Sequence, residues 1–469
     1  MYDLFDNPTD VKLDKPLDEC GVIGVYAPGK ASVARDVYFG LHALQHRGQD
    51  SAGIAANAAG KIQYFKDRGL VQEVFNDEII DRLAGDIAIG HVRYPAAGDV
   101  HVINAMPLVV YYRGGGALAL AHNGSLVNGE ALREEMQDNG TMFQTSIDSE
   151  IIAVLIARHL KENTVENAIL KALDTIKGAY AVVMTLENKL IGIRDPNGIR
   201  PLCIGKTQDG FVISSESCAF SLLEAKLIRD VEPGEMVVIE DNQIKSYKFG
   251  GKAQKAGCAF EYAYIARPDS DIDGKNVYVA RSLCGGILAK EAPVDADMVI
   301  SVPDSGTVAA IGFAEESGIP YGEGFIKNRY IGRTFIEPDK RLRELSVKIK
   351  LNALSDNVKG KRVVMIDDSI VRGTTSIKIV KMLKDAGAKE VHMRVASPPV
   401  VSPCFFGIDT PDKDELVAAS KSVEEIRKMI GVDSLAYLSV EGMKKAIAIG
   451  DNLCLGCFCS EYPVEIPKQ

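Results

Sequence analysis

The stretch VVMIDDSIVRGTTS, residues 363–376, decides how the second half of the chain folds. An apolar run ends in two carboxylates, passes through a loop of small residues and enters an amphipathic segment that runs through Leu383 and stops at Gly387. That order predicts a buried parallel strand, a turn and a helix. Free N–H groups at the start of such a helix face an anion, which places Ser369, Arg372, Gly373, Thr374, Thr375 and Ser376 to wrap a phosphate. Asp367 and Asp368, at the carboxyl end of the strand, are placed to grip ribose hydroxyls or a bound Mg²⁺.

Outward from this string, MVISV, RVVMI and VHMRV alternate with helical patterns from about residue 274 onward, the signature of an α/β half. Residues 52–250 read differently: short apolar runs (IAIGHV, LALAHNG, AYAVVMTL, FVISS, EMVVIE) are separated by Gly, Asn and Asp turn signals, with helices such as Ser149 to His159 between them. That is a layered α+β domain. It begins with a strand, GVIGVYA after Cys20, and an amphipathic helix carrying Val33, Val37, Leu41 and Leu44 and ending near His46. The small, polar GGKAQKAG, residues 250–257, makes the boundary.

Length and composition fit two or three globular domains: 469 residues, 46% hydrophobic and 25% charged, with no long apolar run to cross a bilayer. A net charge of −10 argues against general nucleic-acid binding, although local basic loops still suit small anions. The first nineteen residues carry six acidic and two basic side chains and lack the pattern of a secretory signal. Nine widely spaced cysteines do not make a secreted disulfide framework, so a reducing cytoplasm is expected. No GxxxxGK[ST] or GxGxxG string occurs.

The string at 363–376 resembles the signature of type I phosphoribosyltransferases. VPDSGT, residues 302–307, looks like the pyrophosphate loop of that family, with Asp304, Ser305, Gly306 and Thr307 following the strand MVISV. By the same resemblance Ser305 joins Asp367 and Asp368 at a magnesium site. KNRYIGRTFI, residues 327–336, looks like the flexible loop that covers the sugar diphosphate, with Lys327, Arg329 and Arg333 supplying the positive charge that an anionic leaving group needs.

In the first half, CGVIG at Cys20, LQHRGQDSAG (44–53), GHVRY (90–94), AHNGSLVN (121–128) and TSIDSE (145–150) are together similar to N-terminal-nucleophile glutaminase domains. The resemblance makes residues 1–19 a propeptide and Cys20 the first residue of the processed enzyme. A free α-amino group, with a reference pKa near 8, then accepts the thiol proton, which an amide nitrogen cannot do. The family pattern assigns oxyanion donors to the Asn123 side chain and the Gly124 N–H, the glutamine α-carboxylate to Arg93, and the α-ammonium to Asp148. His91 and His122 flank these motifs and read as structural hydrogen-bonders.

CLGC at 454–457 alone fits a redox pair, half a zinc site or chance. With Cys258 in CAFEYAYIARPDS and Cys404 in SPPVVSPCFFGID it is similar to the iron–sulfur branch of the glutamine phosphoribosylpyrophosphate amidotransferases, whose four thiolates hold a 4Fe-4S cluster. Spacing does not separate iron from zinc; the resemblance favours iron. Cys459 stands close by as an alternative to Cys457, and Cys203, Cys218 and Cys284 look like buried packing residues.

The resemblance therefore implies a propeptide (1–19), a glutaminase domain (20–250, layered αββα), a type I phosphoribosyltransferase domain (251–450) and a C-terminal segment with cluster ligands (451–469). The implied reaction turns glutamine, water and phosphoribosyl pyrophosphate into 5-phosphoribosylamine, glutamate and pyrophosphate, opening purine synthesis, with ammonia passed between two sites. A homotetramer inhibited by AMP, GMP or ADP is a further family expectation. Two rival readings are weaker. Glutaminases joined to sugar-isomerase or ATP-pyrophosphatase domains lack the 363–376 string, and a non-catalytic sensor leaves Cys20 unexplained.

Overall fold

GVIGVY, Gly21–Tyr26, is buried at every position because it is covered on both faces, which is why its sequence is apolar throughout rather than alternating. Period-two geometry divides its side chains: Val22 and Tyr26 enter a core between two sheets, while Ile23 and Val25 face the helix Ala34–Ala43. This strand lies in a seven-stranded sheet, antiparallel to Phe211–Ser214 on one side and Ile87–Arg93 on the other. In the facing six-stranded sheet, Ala117–Leu126 pairs with Gly178–Leu186. Ala119, Ala121, Ala181 and Val183 point to the shared core, and Leu118, Leu120, Tyr180 and Val182 to the helices Asp148–His159 and Val165–Leu173. The four layers follow as helix, sheet, sheet, helix, the αββα arrangement predicted. The computed structural model describes residues 20–94, 101–112, 114–328 and 351–467.

The second half is built on a four-stranded parallel sheet in the order Met298–Ser301, Arg362–Asp367, Glu390–Val395, Ser434–Tyr437. Val299, Val364 and Ile366 pack under the helices Val277–Glu291 and Thr307–Ser317, and Met298, Ile300, Val363 and Met365 under Thr374–Asp385 and Val423–Ile430. Residues between the halves, 250–256, contain no helix or strand, and 251–255 are exposed. Cys258 nonetheless returns to the C-terminal segment, pairing with Cys454 in a two-stranded parallel ladder. Phe260, Phe406, Leu453 and Phe458 fill the core beneath that ladder. Among the described residues no helix is long and apolar enough to cross a membrane.

Candidate active site

Cys20 immediately precedes Gly21, whose partner across the ladder is Val92, so Cys20 stands beside Arg93 at one end of the seven-stranded sheet. It is half-buried. Burial raises the thiol pKa, opposed by a hydrogen bond from the Tyr94 backbone and by the charges of Arg93 and Arg47. The thiol is therefore held neutral and needs a base before it can attack a carbonyl.

Asn123 and Gly124 belong to the other sheet. Near this end a hydrogen bond joins the two: the imidazole Nε2 of His91 donates to the carbonyl oxygen of His122, 3.0 Å away. His122 in turn lies 3.2 Å from Ser149 Oγ through Nδ1. Desolvation lowers the pKa of His91 to about 3 and of His122 to about 4, so both stay neutral and act as struts, as expected from sequence. Asn123 is 1% exposed, and neither its amide nitrogen nor its amide oxygen has a hydrogen-bond partner. Buried polar atoms are normally paired, so an amide with both its groups open stands out. Gly124 adopts φ +133°, and a Cβ there would come 2.0 Å from the Ala179 carbonyl oxygen, so only glycine fits.

Asp148 begins the helix Asp148–His159 and accepts from Leu126 N (2.8 Å) and Ser125 Oγ (3.3 Å), which fixes its carboxylate beside the Asn123–Gly124 strand end. Burial raises its pKa.

The most connected residue of LQHRGQDSAG, Arg47, is not marked out by its neighbours in sequence. Arg47, fully buried, donates to the Cys20 carbonyl (3.1 Å), to Glu216 (2.5 Å) and to Glu261 (2.6 and 3.0 Å). Glu216 also receives His46 Nε2 (2.7 Å), Ser270 Oγ (2.6 Å) and Arg267 N (2.9 Å). Ser51, in register with Arg93, was missed as well; its buried hydroxyl has no partner. Paired carboxylates hundreds of residues away leave no local signal of this kind.

At the carboxyl edge of the parallel sheet, neighbouring strands deliver the two predicted loops side by side. The hydroxyl of Ser305 donates to Asp368, Ser369 Oγ donates to the other oxygen of that carboxylate (2.6 Å), and Asp368 N donates to Asp367 (2.9 Å). Asp367, Asp368 and Ser369 are each buried. Gly306 lets its loop approach the strand end, since a Cβ there would lie 2.6 Å from the Ile366 carbonyl. Gly373 caps the helix Thr374–Asp385 at φ +81°. Thr307 starts its own helix beside Ser301 (3.2 Å). Lys327 pairs with Asp304, and Arg372 reaches Glu415 (2.6 and 3.0 Å). Arg329 and Arg333 lie outside the described residues.

Cys258, Cys404, Cys454 and Cys457 are brought to one corner from three separate segments, each within the electrostatic reach of others in the set. Burial pushes the Cys454 thiol up to about 12. All nine cysteines are free thiols. As placed, no three His, Cys, Asp or Glu side chains among the described residues are arranged to hold a metal ion.

A half-buried thiol beside an arginine, an unsatisfied amide on the facing sheet, and phosphate-type loops on a parallel sheet are the parts of a glutamine amidotransferase coupled to a phosphoribosyl site. The comparisons agree. The family model described as "Glutamine amidotransferase domain" matches residues 104–221. The amidophosphoribosyltransferase of Archaeoglobus fulgidus is 51% identical, with 96% of this chain and 99% of that one covered. That of Bacillus subtilis is 49% identical, covering 96% and 95%. The solved structure of glutamine phosphoribosylpyrophosphate amidotransferase from B. subtilis, complexed with ADP and GMP, superposes with a TM-score of 0.91 at 48% identity, covering 96% of this chain and 98% of that one. The chain belongs to the amidophosphoribosyltransferase family: it transfers the amide nitrogen of glutamine to phosphoribosyl pyrophosphate.

Proposed function

We propose that Cys20 is the nucleophile of the glutamine half-reaction, with the Asn123 amide and the Gly124 N–H receiving the oxyanion, Arg93 the substrate carboxylate and Asp148 its ammonium. The observation that carries this reading is the buried, unpartnered Asn123 amide, tied through His122 and His91 to the strand that ends at Arg93 beside Cys20. Removal of residues 1–19 supplies the missing base. The Cys20 amine takes the thiol proton, the thiolate attacks the side-chain amide carbon, and the proton leaves with ammonia.

Ammonia then crosses an internal passage to the phosphoribosyl site, since bulk water would protonate it. There Asp304, Ser305, Gly306 and Thr307 hold the pyrophosphate, Lys327, Arg329 and Arg333 cover it, Asp367 and Asp368 hold the ribose, and Ser369, Arg372, Gly373, Thr374 and Thr375 cradle the 5-phosphate. The oxygen donors of Ser305, Asp367 and Asp368 suit Mg²⁺, which when bound neutralises diphosphate charge. The four thiols of Cys258, Cys404, Cys454 and Cys457 suit a 4Fe-4S cluster, a structural staple when bound. A cytoplasmic homotetramer in the purine pathway, restrained by AMP, GMP or ADP, completes the proposal; the ADP and GMP bound to the B. subtilis structure support the nucleotide part.

The experiment is the intact mass and glutamine-dependent pyrophosphate release of anaerobically purified protein, beside Cys20→Ala. A mature chain starting at Cys20, with the variant active on ammonia alone, is expected. An intact leader on an enzyme that fully uses glutamine would overturn the assignment of the base.

A further inference from the structure

The Asn123–Gly124 segment of the strand Ala117–Leu126 is walled on one side by its own domain, at Ala179, and on the other by a residue from the far half of the chain. That residue is Gly407. It adopts φ +110°, and a Cβ placed on it would come 2.8 Å from Gly124 Cα and 2.9 Å from Gly124 C. The two glycine backbones thus meet with no room for a methyl group between them.

Gly407 is held there by buried interactions. Arg200, with no exposed surface, donates through Nε to the Phe406 carbonyl at 2.8 Å and again through Nη2. The backbone of Arg200 is itself anchored, its N–H donating to Asp195 (3.1 Å), which also accepts from Tyr180 N (3.3 Å), and Tyr180 is the ladder partner of Gly124. On the loop's other side, Phe406 N donates to Cys404 Sγ (3.3 Å) and Cys404 N to Thr410 Oγ1 (2.6 Å). The rings of Phe405 and Phe406 pack edge-on against Tyr462, whose hydroxyl donates to the Pro403 carbonyl (2.6 Å). A rigid loop that grows out of the phosphoribosyl half therefore presses on the main chain of the glutamine half.

We infer that Gly407 is a positioning residue for the glutamine reaction: the loop 404–410 forms the outer wall of the Asn123–Gly124 strand segment and fixes the direction in which the Gly124 N–H points. This rests on the reading of Asn123 and Gly124 as oxyanion donors. Donors aimed at a developing charge lose most of their effect when displaced by a fraction of an ångström, whereas substrate binding through Arg93 and Asp148 does not depend on them. The second half of the enzyme thereby sets the chemical competence of the first through a steric contact at the transition-state site.

The test compares Gly407→Ala with the parent in full-length, processed enzyme, measuring pyrophosphate release from glutamine and from ammonia at saturating phosphoribosyl pyrophosphate. The expected result is a fall of about tenfold or more in kcat with glutamine, with the glutamine KM and the ammonia-dependent rate within about twofold of the parent. Equal loss with both nitrogen sources, or loss with neither, overturns the inference. Should Gly407→Ala fail to fold, Arg200→Lys is the second variant: it adds no atom at the Gly124 contact but weakens the hold on Phe406, and it should show the same split in milder form. Asn123→Ala separates the two possible failures. If it leaves kcat with glutamine intact, the oxyanion reading and this inference fall together; if it lowers kcat while Gly407→Ala does not, only the inference falls.

Discussion

His91 on one sheet donates to the carbonyl oxygen of His122 on the other, 3.0 Å away, from a fully buried site where desolvation keeps the imidazole neutral. Its pKa in the fold is lowered to about 3 by desolvation, against about 6.5 in an unfolded chain. A depressed histidine pKa contributes stability that is fully present above about pH 6.5 and is lost as pH falls toward about 3, because only the unfolded chain takes up the proton in that window. From pH 7 to pH 5 this loss is about 2 kcal/mol for His91. Asp195 and Asp230, whose pKa values burial raises to about 6, work in the opposite direction over the same range, so the raw pH curve does not isolate the effect. A difference does. His91→Gln should show about 2 kcal/mol less acid sensitivity than the parent in urea titrations at the two pH values. Parallel pH dependences would remove His91 from the account.

Glu261 and Arg47 make a fully buried charged contact between the two halves. Replacing Glu261 with Gln keeps the shape but removes one of two carboxylates facing a fully buried guanidinium. The cost should be about 3 kcal/mol, since breaking one arm of a buried ion network removes a charged partner that water cannot replace, even with Glu216 retained. Arg47 also holds the Cys20 carbonyl, so glutamine-dependent turnover should fall further than ammonia-dependent turnover. A thermal midpoint within error of the parent would mean that Glu216 alone suffices.

How much of this was legible beforehand follows from where the information sits in the chain. The strand Arg362–Asp367 and its loop were readable because every residue that builds them is contiguous, and the order of strand, acids, small loop and helix admits few alternatives. The strands GVIGVY and AYAVVMTL were readable because burial on both faces leaves almost no polar position, whereas the αββα order of the layers came from the resemblance. The strand Lys61–Arg68 was not, since KIQYFKDR lies at the edge of its sheet with most side chains in water and shows little apolar alternation. Ser434–Tyr437 is only four residues long, too short for a periodicity. Ser51 and Gly407 matter through what lies opposite them in space, and nothing in their neighbouring residues records that.

The two half-sites should separate cleanly by mutation. Asn123→Ala removes the amide proposed for the oxyanion and should lower kcat with glutamine by about 10²-fold or more while sparing the ammonia reaction. Asp368→Asn, which weakens the acceptor now shared by Ser305 and Ser369, should depress pyrophosphate release from both nitrogen sources alike. Steady-state rates with each nitrogen donor decide the matter. An Asp368→Asn enzyme impaired only with glutamine would dissociate these loops from the phosphoribosyl reaction.

Cys404 carries a double burden, as a proposed cluster ligand and as the acceptor of the Phe406 N–H in the loop that carries Gly407. Serine at this position is smaller, is a poor substitute for the soft thiolate that an iron–sulfur cluster selects, and accepts that N–H at a different distance. Cys404→Ser should therefore lose iron, inorganic sulfide and the broad visible absorbance of a cluster, and its thermal midpoint should drop by about 5 °C or more. The ladder of Cys258 with Cys454 and the core of Phe260, Phe406 and Phe458 depend on the same corner, so limited proteolysis should cut the C-terminal segment sooner in the variant. Metal analysis of the anaerobic parent sets the reference. Stoichiometric zinc in a colourless protein would assign the four thiols to a zinc site instead, because the donor set alone suits either metal. A parent without bound metal, and with a melting curve identical to that of Cys404→Ser, would leave the four thiols as packing residues only.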